Sequence, residues 1–375
     1  MELTIGKRDF LRGLNRTYAV ADRKSSMAVL ANVHLSTEDS STLRLAATDL
    51  YLGVTATAPA HVVTGGAVAV GAKTLHDIVR NLPEAEVRLS VGANQQVELE
   101  CGAVRYNLPG MPGDDFPPLP NPGATAFVAY PAETLAALVA KTQYAMSTDD
   151  NRPHLAGTLF EGEGRTLRMV ATDGHRLAKA EHVLDDGEAL DFSMLVPAKG
   201  IGELKRLVED AKADKGDEPP VIEVAHAAGS VYFRRPNVLL SVKLADEQFP
   251  PYSRVIPREQ HRRVVVARTA LLEALRRVAL VANEKAGLVH LVIEPGLLRL
   301  SGKSSELGEA TEELEVDYAG DPLTIRFNSR YLVDCLTGLT DDDVALELAG
   351  DLDPGVVKAA TDPNAFVGVV MPMRP

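Results

Sequence analysis

Ala171-Thr172-Asp173-Gly174-His175-Arg176-Leu177-Ala178 is the stretch around which the chain can be read. It follows Leu167-Arg168-Met169-Val170, a short alternating run that predicts a strand. Asp173-Gly174 then marks a turn, because glycine tolerates the positive φ that such turns need. His175 and Arg176 fall just past it and lead into a second strand. A near-copy, Ala47-Thr48-Asp49-Leu50, follows Leu43-Arg44-Leu45-Ala46. The copy keeps Ala-Thr-Asp and lacks Gly-His-Arg. A scaffold is repeated, and one repeat carries extra polar and basic chemistry.

With 375 residues, 45% of them hydrophobic, the chain can build two or three domains with cores of their own. The net charge of −13 argues against nucleic acid wrapped over the whole surface, since affinity for phosphate needs Lys and Arg. A local basic face on an acidic body remains compatible with it. Cys101 and Cys335 stand far apart with no Cys/His cluster, so no zinc site and no cofactor is expected, and the pair reads as reduced cysteines of a cytoplasmic protein. Met1 to Lys7 lacks a signal-peptide pattern, and no apolar run approaches the ~20 residues of a membrane span. Trp is absent and aromatic residues are few, so base stacking is not the theme.

One order of elements recurs three times: strand, helix, three or more strands, helix, three strands. The predicted helices run from about Arg8 to Val20, Lys73 to Leu82, Ala132 to Met146, Lys199 to Glu209, Thr269 to Val281 and Ser329 to Leu339. Arg8, Arg12 and Arg16 share one face of the first helix, opposite Phe10, Leu11, Leu14 and Tyr18. Lys73, Lys199 and Arg330 recur near the start of the second helix of each unit. Pro109 to Gly123 reads as a linker. Asp115-Phe116-Pro117-Pro118-Leu119 at the end of the first unit matches Gln248-Phe249-Pro250-Pro251-Tyr252 at the end of the second. A period of about 125–130 residues is too long for a solenoid and suits tandem domains, here 1–123, 124–257 and 258–375. Each would be α+β, an antiparallel sheet with two helices on one face.

These features together resemble the bacterial β sliding clamp family, the DNA polymerase III beta subunit. The resemblance covers the whole length. It is carried by the three repeats, by Thr172-Asp173-Gly174-His175-Arg176, by Phe249-Pro250-Pro251-Tyr252-Ser253-Arg254-Val255-Ile256-Pro257, by Asn283-Glu284-Lys285, and by the ending Val369-Val370-Met371-Pro372-Met373-Arg374. It implies three clamp domains per chain, sheets outside and helices inside, closing as a head-to-tail homodimer into a six-domain ring around duplex DNA. Lys24, Lys73, Arg80, Lys199, Arg206 and Arg330 would face the DNA without reading its sequence.

The resemblance also implies a pocket for short linear peptides of the Gln-Leu-x-Leu-Phe kind, borne by the replicative polymerase, the clamp loader and repair proteins. Leu155, Thr172, Gly174, His175, Arg176, Leu177, Pro250, Arg254, Val255, Val369, Met371, Pro372, Met373 and Arg374 would line it. Leu, Val, Pro and adaptable Met suit an apolar groove, and His175 and Arg176 its polar edges. Gly355 falls near it where some members have Ser, and Pro375 replaces a common terminal Leu. Arg105, Tyr106 and Leu108 of one chain would meet Leu280, Val281, Glu306 and Glu309 of the other.

Other readings are weaker on chemical grounds. Asp173 and His175 offer an acid and a base, but no nucleophile motif accompanies them. Gly66 to Thr74 resembles a phosphate loop with one residue too many before Lys73. Asp341-Asp342-Asp343 reads as a solvated acidic turn. The expectation is therefore a binding and topological device with no catalysis of its own, a non-catalytic subunit of a DNA polymerase. The alternatives are a free-standing peptide-binding scaffold or a duplicate clamp copy with altered partners.

Overall fold

The computed structural model describes residues 1–149, 151–185, 189–213, 218–282 and 287–374. Asn283-Glu284-Lys285 and Pro375, singled out above, lie outside these. The first repeat comprises β1 (Glu2–Gly6), α1 (Lys7–Thr17), β2 (Asn32–Thr37), β3 (Thr42–Thr48), β4 (Leu52–Pro59) and β5 (His61–Thr64). It continues with β6 (Ala67–Gly71), α2 (Ala72–Asn81), β7 (Glu86–Val91), β8 (Gln96–Cys101) and β9 (Val104–Pro112). The second holds β10 (Val128–Pro131), α3 (Ala132–Thr142), β11 (Gly157–Gly164), β12 (Thr166–Thr172) and β13 (Arg176–Val183). After these come β14 (Leu190–Pro197), α4 (Ala198–Ala213), β15 (Val221–Ala227), β16 (Ser230–Arg235) and β17 (Val238–Lys243). The third holds β18 (Arg262–Ala267), α5 (Arg268–Ala279), β19 (Leu288–Glu294), β20 (Leu297–Ser304) and β21 (Gly308–Glu315). It ends with β22 (Leu323–Asn328), α6 (Ser329–Thr337), β23 (Asp343–Leu348), β24 (Gly355–Ala359) and β25 (Phe366–Val370).

The six helices fall where the apolar periodicity puts them. In α1, Phe10 and Leu14 are fully buried while Arg8 and Arg12 face solvent. Burying each of those two side chains contributes roughly 1.5–3 kcal/mol. Gly13 lets the helix lie close on the sheet: a Cβ there would sit 2.8 Å from Leu45 Cδ1. In β3 and β12, Leu43 and Leu45, and Leu167 and Met169, are buried, with Arg44 and Arg168 between them on the other face.

Two details differ from the sequence expectation, and one weaker reading falls away. Pro109–Pro112 continues β9 instead of opening a linker, because Val68, Ala69 and Val70 of β6 pair with Pro112, Met111 and Gly110. β5 pairs with β1 and has no sequence signal beyond two valines. Gly66–Thr74 is not a phosphate loop: β6 runs from Ala67 to Gly71 and passes directly into α2.

Among the described residues all strand pairings are antiparallel, and two of them join neighbouring repeats. β4 of the first repeat pairs with β17 of the second, Leu52 opposite Val242. β13 of the second pairs with β25 of the third, Leu177 opposite Val369. These seams divide the chain into two compact units, Met1–Ala132 with Arg206–Leu244, and Glu133–Lys205 with Ala245–Pro375. The first holds a 13-stranded sheet. The second holds sheets of eight and four strands, the latter in the order β21-β20-β19-β22. Among the described residues, β21 pairs on one edge only, and Val104–Pro109 of β9 pairs with β8 only.

Candidate functional site

The turn singled out in the sequence is built by two short side chains. Thr172 Oγ1 donates to the Arg176 carbonyl (2.7 Å) and accepts from Gly174 N (3.1 Å). Asp173 Oδ1 accepts from His175 N (2.9 Å) and Arg176 N (3.0 Å). Gly174 takes φ 88°, the left-handed region that favours glycine. Asp173 thus serves the turn's own backbone and the Arg176 guanidinium. The first repeat makes the same four bonds with Thr48 and Asp49, and there Leu50 takes φ 75°. The seam strand follows the same rule in both copies: Met371 N donates to His175 O (2.9 Å), and Lys243 N donates to Tyr51 O (2.8 Å).

Arg176, expected at a polar edge, is instead a tie inside the protein. Its side chain is only 10% exposed. Nε donates to Asp173 Oδ2 (3.0 Å), one Nη to Asp334 Oδ2 of α6 (2.6 Å) and the other to the Tyr144 carbonyl (2.6 Å). The guanidinium lies over the Tyr331 ring at 4.5 Å. A planar fork with every direction occupied orients the turn and leaves little for a ligand. His175 is exposed and stacks at long range on Tyr331.

The apolar candidates form a floor beneath a covering segment. Leu177 and Val369 are buried with Leu159, Val170, Val356 and Val367, and Phe249, Tyr252 and Ile256 pack against them. Leu155 and Thr172 are also buried. Pro250, Arg254 and Val255 ride on the covering segment, Val255 being 46% exposed. Tyr252 OH donates to Glu161 Oε2 (2.9 Å) on β11. Glu161 also accepts from Arg168 (3.3 Å) and Ser193 Oγ (3.3 Å). Arg168 and Lys179 both bond Glu181. Burial and the bond to Glu161 push the Tyr252 phenol up to about 12. For Glu181, burial favours the neutral form, and the bonds from Arg168 and Lys179 outweigh it, so its carboxyl lies below the usual range. Tyr252, Glu161, Tyr144, Tyr331 and Asp334 escaped sequence reasoning; Tyr252 alone had a signal, its place in the repeated Phe-Pro-Pro motif.

The C-terminal tail borders this floor. Met371 is 40% exposed, Pro372 and Met373 are half-buried, Arg374 is exposed, and Met373 N donates to Arg326 O (2.8 Å). Gly355 packs inward: a Cβ there would meet Phe327 Cζ at 2.6 Å, so it lies under the sheet and not on the site. Beside the turn lies a polar cleft of about 610 Å³, lined among others by Tyr144, Asp149, Arg152, His175, Arg176 and Tyr331. Of the fourteen sequence-proposed residues only His175 and Arg176 border it.

Lys24, Lys73, Arg80, Lys199, Arg206 and Arg330 are all exposed. The first-helix stripe is less free than its spacing suggests. Arg16 is 9% exposed and bonds Asp210 (3.2 Å), and Arg8 pairs with Glu84. Of the proposed contact residues, Leu280 is 75% and Tyr106 39% exposed, Leu108 is buried at 8%, and Arg105 pairs with Glu100 (2.9 Å). Val281 is half-buried, and Glu306 and Glu309 are exposed. Among the described residues no group of His, Cys, Asp and Glu could hold a metal ion, and no helix is long and apolar enough to cross a membrane.

Three α+β repeats joined edge to edge by antiparallel seams define a chain of the clamp class. Comparison with known proteins agrees along the whole length. Residues 1–120, 129–251 and 253–374 match the N-terminal, central and C-terminal domains of the DNA polymerase III beta subunit. The beta sliding clamp of Caulobacter vibrioides is 35% identical over 380 residues, and that of Escherichia coli K12 is 32% identical over 377, each covering 100% of both chains. The solved sliding clamp of Pseudomonas aeruginosa bound to griselimycin superposes with a TM-score of 0.92 at 31% identity, again over 100% of both chains. A Bartonella birtlesii clamp, also bound to griselimycin, gives 0.91. The chain belongs to the DNA polymerase III beta subunit family, the bacterial beta sliding clamps.

Proposed function

We propose that the protein is a DNA sliding clamp, a processivity factor of the cytoplasm that encircles duplex DNA as a homodimeric ring and tethers the replicative polymerase and other proteins. The observation that carries this reading is the pair of seams. Each repeat lends a strand edge to the next, β4 to β17 and β13 to β25, and the rule leaves β21 and the Val104–Pro109 edge of β9 without partners. Two copies that joined those two edges head to tail would repeat the seam pairing between chains, and a heterologous contact that closes gives a ring. Domains 1–123, 124–257 and 258–375 would be the repeating bodies.

Duplex DNA carries a charge about every 1.7 Å of axis, so the exposed Lys24, Lys73, Arg80, Lys199, Arg206 and Arg330 would hold it by phosphate contacts that carry no sequence information. Retention would then be topological, and weak contacts permit sliding. Partner proteins would dock short linear motifs on the floor around Leu177 and Val369, beside the Met371–Arg374 tail.

The test is retention on a nicked circular duplex after assembly by a clamp loader. The protein should co-elute with the circle and be lost when the circle is cut. The double variant Lys73→Glu, Lys199→Glu should shorten retention severalfold, most at low salt. Retention indifferent to cutting would overturn the reading.

A further inference from the structure

The two seams are built alike but furnished differently, and the difference singles out Tyr252. The covering segments align as Phe116-Pro117-Pro118-Leu119 and Phe249-Pro250-Pro251-Tyr252. Leu119 lies on Gly53: its Cδ2 stands 3.1 Å from where a Cβ on Gly53 would be. Gly53, paired with Ser241, occupies the place that Leu177, paired with Val369, holds at the second seam. The strands beneath differ in step. β3 and β12 both carry an arginine, Arg44 and Arg168. Arg44 is flanked across the sheet by Ser36 and Thr57, and Arg168 by Glu161 and Glu181. A phenol on the covering segment and a carboxylate opposite the arginine to receive it therefore occur together at one seam, and Leu119, Ser36 and Thr57 stand in their places at the other.

We infer that Tyr252 is a positioning residue of the partner-peptide site, its phenol donated to Glu161 holding Pro250, Arg254 and Val255 in place on the sheet. The inference rests on the peptide-docking reading above. Backbone bonds of this segment, Arg254 N to Pro251 O (3.1 Å) and Val255 N to Tyr252 O (3.0 Å), are internal to it and do not tie it to the sheet. Glu161 is itself held by Arg168 and Ser193, so the acceptor does not wander. A wall carried on an irregular segment is as well placed as its anchors, and a loose wall raises the ordering cost of binding.

The test uses the full chain and a labelled peptide containing Gln-Leu-Ala-Leu-Phe, read by fluorescence anisotropy. Tyr252→Phe keeps the ring and its packing and should weaken binding about fivefold, the scale of one hydrogen bond. Glu161→Ala should do the same, and the double variant should be no worse than Glu161→Ala, because the two act as one. Glu161→Gln, which keeps an acceptor oxygen, should stay within about twofold. Amide exchange at Arg254 and Val255 should rise in Tyr252→Phe while β12 and β13 keep their protection. Unchanged peptide affinity in Tyr252→Phe, or losses that multiply in the double variant, would overturn the inference. Failure of the unaltered chain to bind the peptide overturns the docking reading and this inference with it. It is told apart from failure of the phenol's role alone, where the unaltered chain binds and Tyr252→Phe binds equally well.

Discussion

Leu50 and Gly174 occupy the same place in the same turn, at φ 75° and 88°. The left-handed region costs a branched residue about 1–2 kcal/mol, and glycine almost nothing. Leu50 is 52% exposed, so replacing it loses little packing. Leu50→Gly should therefore stabilise the protein by roughly 0.5 kcal/mol after the extra chain entropy of glycine is offset. Gly174→Ala should destabilise it by about 1 kcal/mol, with a new Cβ 3.3 Å from an Arg152 nitrogen. Urea unfolding midpoints of the two variants moving in opposite directions is the check; a lower midpoint for Leu50→Gly would mean that its exposed side chain does more than the strain costs. The turn could be read from sequence because Thr, Asp and Gly act on their own backbone within four residues. Arg176 could not, because its acceptors Tyr144 and Asp334 lie 32 and 158 residues away, and no local pattern says that a guanidinium beside a turn will face inward.

At the scale of elements, α6 shows how a helix face specified by apolar spacing gains a titratable core. Cys335 lies on its buried face, and Gly368 of β25 leaves room for its sulfur: a Cβ at Gly368 would stand 2.5 Å from Sγ. Burial pushes the Cys335 thiol from 9.0 up to about 12. Folding therefore favours the protonated thiol. Its contribution is complete below pH 9 and is lost as pH rises toward 12, on the order of 4 kcal/mol over the whole span. Tyr144 and Tyr252, also raised by burial, add to the fall as unfolded tyrosines ionise toward pH 10, so the loss of stability from pH 8 to 10 should be shallower, though not absent, in Cys335→Ala. Denaturant titrations at pH 8, 9 and 10 would show this, and equal slopes in both proteins would refute it. The helices themselves were legible from periodicity, since a face of Leu, Val and Ala every third or fourth residue has one burial solution. The stripe on α1 was only half legible: Arg8 and Arg12 are exposed as spaced, but Arg16 turns to Asp210, an acid 194 residues away.

For the whole molecule, the repeat was visible in sequence and the seams were not. Strand pairing between repeats depends on which edges remain open once each repeat has folded, and that is a property of topology. The same bookkeeping of edges yields the prediction for assembly. β21 carries Glu309, Glu312, Glu313 and Glu315, and Arg277, Arg299 and Lys303 already pair with the first three. Charge alone therefore does little to draw a second copy, and strand pairing with apolar contact must do more. Leu280, at the end of α5, is the most exposed large apolar side chain among the described residues, at 75%. If it is covered by Tyr106 and its neighbours on a second copy, Leu280→Asp places an unpaired carboxylate in that contact and should weaken dimerisation by about 2–3 kcal/mol, roughly 30- to 150-fold. Sedimentation velocity across a concentration series should then show a monomer where the unaltered protein is a dimer. Because the peptide floor at Leu177 and Val369 is built within a single chain, the monomer should still bind the Gln-Leu-Ala-Leu-Phe peptide while losing retention on circular DNA. A dimer of unchanged strength would place the contact elsewhere. Loss of peptide binding together with dimerisation would show that the two functions share a surface, which their separate sheet edges argue against.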